Sequence, residues 1–291
     1  MTSTTSTTSN ASTTHAPAAL TFGSDVRSIT TARGITSDVV VLGPPDAPAI
    51  VALHGVAGHL AGEPTLVALA ARFRVYAPVW PGFGTSRGEE LLEDMLDFTL
   101  HGADVVAALG LRRPHLYGHS FGGMIAAEMA ALAPDAYGGV GLVAPFGLWL
   151  DEHPIADIYS MLPFDFPELL FHDPAAGAAM LTGGVDFDDP EAMTAFLIAN
   201  SRRLGTAGKV LFPIPNRRLS KRLYRLRNPV ALVWGAADRL IPPVYASAWR
   251  QLIPQAETTI IEAGAHFVPN EQPAVVAAAV ASTFDAAGAA T

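Results

Sequence analysis

One serine and two later side chains are the residues of this 291-residue chain best suited to covalent chemistry. Ser120 lies in the stretch GHSFG (118–122), which has the pattern G-x-S-x-G. A serine hydroxyl attacks a carbonyl carbon only when a base removes its proton, and a carboxylate usually orients that base. Asp238 and His266 each follow a later apolar run. This chain order predicts acyl transfer with Ser120 as nucleophile, His266 as base and Asp238 as the orienting carboxylate.

Glycines surround Ser120 in a way that fits a sharp turn between a strand and a helix. The apolar run PHLY precedes the pattern, and the amphipathic run MIAAEMAALAP follows it. The positions two before and two after the serine must be small for strand and helix to approach, as Gly118 and Gly122 are. This setting favours an exposed nucleophile over a structural turn serine.

The negative charge that develops on the substrate oxygen needs two backbone N–H donors near Ser120. One is expected from the next residue, Phe121. The other is expected from the loop HGVAG (54–58), where glycine permits close approach and the N–H of Val56 can donate. His54 in that loop is interpreted as a histidine that holds the loop in place.

The orienting carboxylate has one rival. Asp151 follows the apolar run GVGLVA and could take the role assigned to Asp238. Asp238 could instead close an Asx turn or cap a helix. The sequence favours Asp238 because it lies just beyond a predicted strand end.

Aromatic and histidine side chains near the serine are candidates for substrate binding. The segment after residue 145 is rich in aromatic residues that could line an acyl pocket. The predicted substrate-binding residues are His119, Phe146, Trp149 and Phe267. The histidines show no H-E-x-x-H or related spacing, so the sequence predicts neither a metal ion nor a cofactor.

Short apolar runs alternate with longer amphipathic stretches, which predicts βαβ units. Several runs are almost continuously apolar, as in strands buried on both faces of a parallel sheet. The predicted strands are 38–42, 49–54, 73–78, 114–119, 139–144, 229–235 and 258–263. The predicted helices are 63–72, 94–109, 121–133, 243–253 and 272–286. The predicted fold class is α/β, a mostly parallel central sheet with helices on both faces.

The strand–helix alternation stops after Pro145. Residues 146–215 are predicted to form an inserted helical cap, because this stretch is punctuated by proline and rich in large apolar residues. The core then comprises residues 20–145 and 216–291. Residues 1–19, rich in Ser, Thr and Ala, are predicted to be a flexible tail.

Positive charge is concentrated in one segment. Nine of the eighteen lysines and arginines lie between Arg202 and Arg227. This segment could form an anion-binding mouth or a partner surface. The interpretation favoured by the sequence is a solvated helical face, because charged side chains are mostly exposed.

Composition excludes several classes of function. Half of the residues are hydrophobic and 15% are charged, which predicts a folded domain with a large core. A formal net charge of −9 argues against a nucleic-acid partner, and the absence of cysteine excludes thiolate chemistry. The sequence shows no secretory leader pattern and no apolar run of about 18 residues, which predicts a cytoplasmic protein without a membrane partner. The predicted partner is a small-molecule substrate. The oligomeric state stays open, a homo-oligomer included.

Five motifs in this order resemble the α/β-hydrolase superfamily, specifically its capped serine hydrolases. They are HGVAG (54–58), PGFGTS (81–86), GHSFG (118–122), Gly235-x-x-Asp238-x-x-x-Pro242 and Gly264-x-His266. Val79 stands where the family often carries aspartate, two residues before Pro-Gly. The resemblance spans roughly residues 20–286 and implies the same roles for the nucleophile, base, acid and oxyanion donors named above.

The resemblance implies a carboxylesterase-like enzyme that cleaves small, largely apolar esters through an acyl-enzyme. The runner-up is hydrolysis of a C–C bond in a diketone-type substrate, whose family usually has an oxyanion loop richer in glycine. Hydrolysis of lactones or amides, and perhydrolysis, would use the same three residues. A small-molecule receptor that retains them is the alternative that is not an enzyme. A serine nucleophile argues against the dehalogenases and epoxide hydrolases of this fold, which use aspartate.

Overall fold

The computed structural model describes residues 25–60, 62–212 and 218–289, and the tail predicted for residues 1–19 lies outside them. The strands are β1 (Asp25–Thr30), β2 (Thr36–Leu42), β3 (Ala49–Leu53), β4 (Arg74–Pro78), β5 (His115–His119), β6 (Val140–Val143), β7 (Val230–Gly235) and β8 (Glu257–Ile261). The helices are α1 (Pro64–Leu69), α2 (Met95–Ala108), α3 (Ser120–Leu132), α4 (Phe166–Leu170), α5 (Pro174–Thr182), α6 (Pro190–Leu211), α7 (Val244–Leu252), α8 (Val268–Glu271) and α9 (Pro273–Ala289).

The eight described strands form one sheet in the order β1-β2-β4-β3-β5-β6-β7-β8. β1 pairs with β2, and β2 with β4, in antiparallel fashion, whereas the neighbours from β4 to β8 are parallel. The predicted fold class is therefore confirmed, and each predicted strand is present to within a few residues. β1 was not predicted, because its sequence DVRSIT is polar and largely exposed at the edge of the sheet.

Two apolar layers hold the helices against the sheet. One face packs α1 and α9 through side chains such as Leu66, Leu69 and Val280. The other face packs α2, α3 and α7 through side chains such as Phe98 and Trp249. The central strands are buried on both sides, which explains their nearly continuous apolar sequences.

The connection from β6 to β7 (residues 144–229) contains α4, α5 and α6. The start of α6 is well defined, because Pro190 is its first residue and the Asp189 side chain accepts the Glu191 N–H at 3.0 Å. Two backbone hydrogen bonds join the connection to the core near Ser120, from Phe146 N–H to the Ser120 carbonyl (3.2 Å) and from Phe267 N–H to the Leu170 carbonyl (3.0 Å). The predicted cap (146–215) falls within this connection. Its residues 213–215 lie outside the described residues.

The strand order reverses direction at β3, since β4 lies on one side of it and β5 on the other. Such a switch point leaves a crevice at the carboxyl ends of the strands, where ligands bind in open α/β sheets. Leu53 at the end of β3 is in register with Gly118 near the end of β5. The HGVAG loop and the GHSFG turn therefore lie side by side.

Candidate active site

Ser120 occupies a strained turn between β5 and α3. Its φ is 56°, in the left-handed region that L-residues other than Asn and Asp rarely adopt. A Cβ on Gly118 would collide with the Gly122 backbone, and one on Gly122 would collide with the Leu53 backbone. These two positions must be glycine for the turn to fit between strand, helix and loop, as the sequence indicated.

A continuous row of hydrogen bonds runs from Ser120 to Asp238. The Ser120 Oγ lies 2.8 Å from the His266 Nε2, and the His266 Nδ1 lies 2.9 Å from the Asp238 Oδ2. Because an ionised carboxylate can only accept, Nδ1 carries the proton, and Nε2 is left to accept from the serine hydroxyl. The three residues are at most 4% exposed. This arrangement can remove the serine proton and stabilise the resulting imidazolium.

The carboxylate of Asp238 is held rigidly by its own backbone neighbourhood. Its Oδ1 accepts the N–H groups of Leu240 (3.0 Å) and Ile241 (2.9 Å), which leaves Oδ2 for His266. Asp151 lies elsewhere, where it accepts the indole N–H of Trp149 at 2.8 Å in an exposed position. The structure thus brings Asp238, and not Asp151, to His266.

The two predicted oxyanion donors flank Ser120. Phe121 is the second residue of α3, where a backbone N–H has no acceptor within the helix, and its side chain is fully buried in the core. Val56 lines the cavity above Ser120. A Cβ on Gly55 would lie 3.2 Å from the Ser120 Cβ, so the loop is packed tightly against the turn.

His54 uses both ring nitrogens to hold this loop. Its Nδ1 donates to the Gly55 carbonyl at 2.7 Å, and its Nε2 accepts the Trp80 N–H at 3.0 Å. Burial, together with the charge of nearby His59, keeps the pKa of His54 well below its ordinary value. A neutral His54 with both nitrogens engaged fits the predicted loop-holding role.

His119 directly precedes Ser120 in the chain, and its ring lies beside that of His266. Its Nε2 donates to the His266 backbone carbonyl at 2.8 Å, and the two rings are 5.0 Å apart. Burial, reinforced by the neighbouring His266, lowers the pKa of His119 to about 3. His119 is therefore neutral at physiological pH and supports the backbone that carries His266.

A cavity of about 250 Å³ opens above Ser120. Predicted residues His119, Phe146 and Phe267 line it, whereas Trp149 is not among its lining residues. Most of the lining comes from the β6–β7 connection and is apolar. The polar side chains on it are His119, Ser120, Thr182, Asn200, Arg203 and His266.

Sequence reasoning missed the contribution of α5 and α6 to this cavity. Leu181, Met193 and Leu197 line it, together with the polar pair Asn200 and Arg203. The apolar positions of α6 recur at helical spacing, which was the available signal. Nothing in the sequence said which face of α6 would turn toward Ser120.

Of the described basic side chains in this segment, five are exposed, in keeping with the predicted solvated face, and three are partly buried. Several of them also contact the core. Arg202 donates to Glu89 (2.6 Å), Lys209 to the Leu92 carbonyl (3.0 Å) and Arg225 to the Ala131 carbonyl (2.8 Å). Arg222 forms an ion pair with the buried Glu128. These side chains fasten the connection to the core, because backbone carbonyls and carboxylates on the core surface face them.

Two features are absent from the residues that the structure describes. These residues contain no cluster of three or more His, Cys, Asp or Glu side chains that could hold a metal ion. None of their helices combines the length and the apolar character that a membrane span requires. The predicted partners stay predictions.

Comparison with known proteins agrees with the geometry. Residues 48–273 match the family model of the alpha/beta hydrolase fold. The putative carbamate hydrolase RutD of Stutzerimonas stutzeri is 25% identical over 76% of this chain and 86% of its own length. A putative aryl esterase from Burkholderia cenocepacia superposes with a TM-score of 0.72 (17% identity, 91% of this chain and 100% of that one). A meta-cleavage product hydrolase from Pseudomonas fluorescens superposes with a TM-score of 0.71 (19% identity, 90% and 98%). With the match covering most of its length, this chain belongs to the α/β-hydrolase family.

Proposed function

We propose that this protein is a serine hydrolase that cleaves carboxylic esters of small, largely apolar substrates through an acyl-enzyme. The observation that carries the proposal is the row of hydrogen bonds from Ser120 through His266 to Asp238 at the floor of an apolar cavity. Fold alone does not determine the reaction in this family, so the proposal depends on this site.

The proposed reaction has two halves. The Ser120 Oγ attacks the ester carbonyl while its proton passes to the His266 Nε2, and Asp238 stabilises the imidazolium. The oxyanion accepts hydrogen bonds from the backbone N–H groups of Val56 and Phe121. His266 then protonates the departing alcohol. Water, deprotonated by His266, attacks the acyl-enzyme, and the acid is released as Ser120 regains its proton.

Residues 146–215 act as a cap in this proposal. Their described part supplies most of the cavity lining, including Phe164 and Phe166. An apolar lining favours apolar acyl or alcohol groups and keeps bulk water away from the developing charge.

The test is hydrolysis of p-nitrophenyl esters from acetate to octanoate by the wild type and by Ser120→Ala. We expect steady turnover by the wild type and a loss of at least about ten-thousand-fold in kcat for Ser120→Ala. Unchanged circular dichroism and Tm would show that the variant is folded. Ser160→Ala, an exposed serine in the β6–β7 connection, is the matched control and should keep wild-type activity. Full activity in Ser120→Ala would overturn the nucleophile.

A second candidate is cleavage of a C–C bond in a diketone-type substrate by the same residues. Its support is the structural likeness to the meta-cleavage product hydrolase. A panel of esters, diketones, lactones, amides and carbamates separates these reactions by kcat/KM. A single turnover with tight retention of the ligand would instead favour a receptor.

A further inference from the structure

Arg203 is the charged side chain on the lining of the cavity that contains Ser120. It lies on α6, and its guanidinium reaches the core. The Nε donates to the Asn200 side-chain oxygen at 2.9 Å, and the Nη1 donates to the Ala57 carbonyl at 3.1 Å. The Nη2 has no hydrogen-bond partner within the described part of the chain.

Arg203 also has no carboxylate partner among the described residues. Its neighbour Arg202, by contrast, points away from the cavity and pairs with Glu89 at 2.6 Å. Burial lowers the pKa of Arg203 to about 10, so the side chain remains a cation at neutral pH. A cation removed from water without a counter-ion is costly, and a bound anion would offset that cost.

Arg203 lines the same cavity as Ser120, close to the loop that carries the proposed oxyanion donor. Ala57, which accepts from Nη1, directly follows Val56, one of the proposed oxyanion donors. The remaining N–H groups of Arg203 are suited to a carboxylate, which arginine binds through parallel hydrogen bonds. The net charge of −9 disfavours anions at long range, but salt screens that repulsion beyond about 8 Å, so the local guanidinium dominates inside the cavity.

We propose that Arg203 is a specificity-determining residue that binds a carboxylate group carried by the substrate. This inference rests on the proposed function and narrows it to esters that carry a free carboxylate in addition to the scissile bond. The rest of such a substrate is apolar, in keeping with the other lining residues. The carboxylate can lie on the acyl side, as in a monoester of a dicarboxylic acid, or on the alcohol side, as in an ester of a hydroxy acid.

The experiment compares matched charged and neutral esters. On the acyl side, p-nitrophenyl monoesters of succinate, glutarate and adipate are each compared with the ketone in which a methyl group replaces the carboxylate oxygen. On the alcohol side, the acetate ester of hydroxybenzoate is compared with that of hydroxyacetophenone. Wild type, Arg203→Met and the matched control Arg202→Met are assayed with both series.

We expect wild type and Arg202→Met to prefer the charged member of at least one series by about ten-fold to a hundred-fold in kcat/KM. Arg203→Met should lose this preference. If Arg203 only held the HGVAG loop through Ala57, its removal would slow charged and neutral esters equally and leave their ratio unchanged. No preference in the wild type, or a preference that survives in Arg203→Met, overturns the inference.

A binding measurement with Ser120→Ala tests the role of Arg203 independently of ester cleavage. It also avoids any folding defect that Arg203→Met has. Titration calorimetry of the intact charged and neutral esters against Ser120→Ala needs neither turnover nor a change at Arg203. Tighter binding of the charged ester by about ten-fold or more supports the inference even if esters are not cleaved. Equal binding overturns it, whereas Ser120-dependent cleavage of neutral esters would still support the proposed function.

Discussion

The two halves of the candidate site are built by different physical means. At the carboxyl ends of the strands, hydrogen bonds of 2.8 and 2.9 Å connect Ser120, His266 and Asp238. A strained turn and two glycines that no other residue could replace fix the position of Ser120. The described part of the β6–β7 connection lines the cavity mainly with apolar side chains, several of them half-exposed, and with one partly buried cation, Arg203. A reaction shared by a family requires fixed distances between the reacting side chains. Substrate selectivity requires a cavity lining that can change without altering those distances.

The two halves are also attached differently. The core side is continuous with the sheet, so its geometry follows from strand register. The connection is fastened by long basic side chains such as Arg202 and Lys209, which donate to core carbonyls and carboxylates. The following predictions test this division between a rigid reactive half and a tolerant binding half.

Asp238→Asn should give the largest decrease in kcat, because it removes the carboxylate that contacts His266 in the reactive half. Asparagine can still accept from the Leu240 and Ile241 N–H groups, but it does not stabilise the imidazolium of His266. We expect kcat to fall by about ten-thousand-fold with little change in Tm. Asp151→Asn is the control and should retain wild-type kcat. The reverse pattern in ester assays would reassign the acid.

Gly122→Ala should break the packing of the reactive half. The added methyl group would collide with the backbone at Leu53, and neither strand nor helix can move away freely. We expect the free energy of unfolding in urea to fall by about 3 kcal/mol. An unchanged midpoint would show that the turn is more tolerant than its geometry indicates.

Acid sensitivity should reside in the core and not in the connection. Burial lowers the pKa of His101 to about 4, whereas the connection's described histidines, His153 and His172, are exposed. Above about pH 6.5, His101 is neutral in both states. As the pH falls, the unfolded chain binds the proton first, so stability is lost between about pH 6.5 and pH 4, by on the order of 2–3 kcal/mol.

The measurement is the free energy of unfolding at pH 7 and at pH 4 for wild type and His101→Gln. The difference between the two pH values should be smaller in the variant by that amount. Equal differences in the two proteins would contradict a neutral, buried His101.

Phe187→Ala should alter selectivity without affecting the reactive half. The ring lines the cavity and packs edge-on against Phe196, with 5.3 Å between the centroids. We expect the ratio of kcat/KM for the hexanoate ester to that for the acetate ester to fall about five-fold, since apolar contact with the longer chain is lost. Tyr224→Ala, an exposed aromatic residue outside the cavity, should leave this ratio unchanged. Equal ratios for Phe187→Ala and wild type would remove this residue from the substrate path.

Gly205→Ala should give the smallest effect, and one of opposite sign to Gly122→Ala. Gly205 is an exposed residue within α6, and a Cβ there would meet nothing within 4 Å. Alanine has the higher helix propensity, so we expect about 0.5–1 kcal/mol of added stability in urea unfolding. A lower free energy of unfolding would mean that the β6–β7 connection is less tolerant of substitution than its exposed position in α6 indicates.

The residues of the reactive half could be singled out from sequence because each has a local signature. Gly118 and Gly122 mark the turn, and Asp238 and His266 follow apolar runs that become β7 and β8. The parallel strands bring these loop residues to one edge of the sheet. β1 escaped detection because an exposed edge strand carries little hydrophobic pattern.

The sequence by itself therefore determined seven of the eight described strands, the α/β fold class and a short set of candidate reactive residues. Only the tertiary structure shows that Asp238, and not Asp151, contacts His266, that Trp149 does not line the cavity, and that Arg203 lines it while its neighbour Arg202 binds Glu89. The physical reason is that periodicity and turn chemistry are local, whereas the direction of a side chain depends on packing against residues far away in the chain. Arg203 and Ala57 are separated by 146 positions, and no local pattern records that they meet.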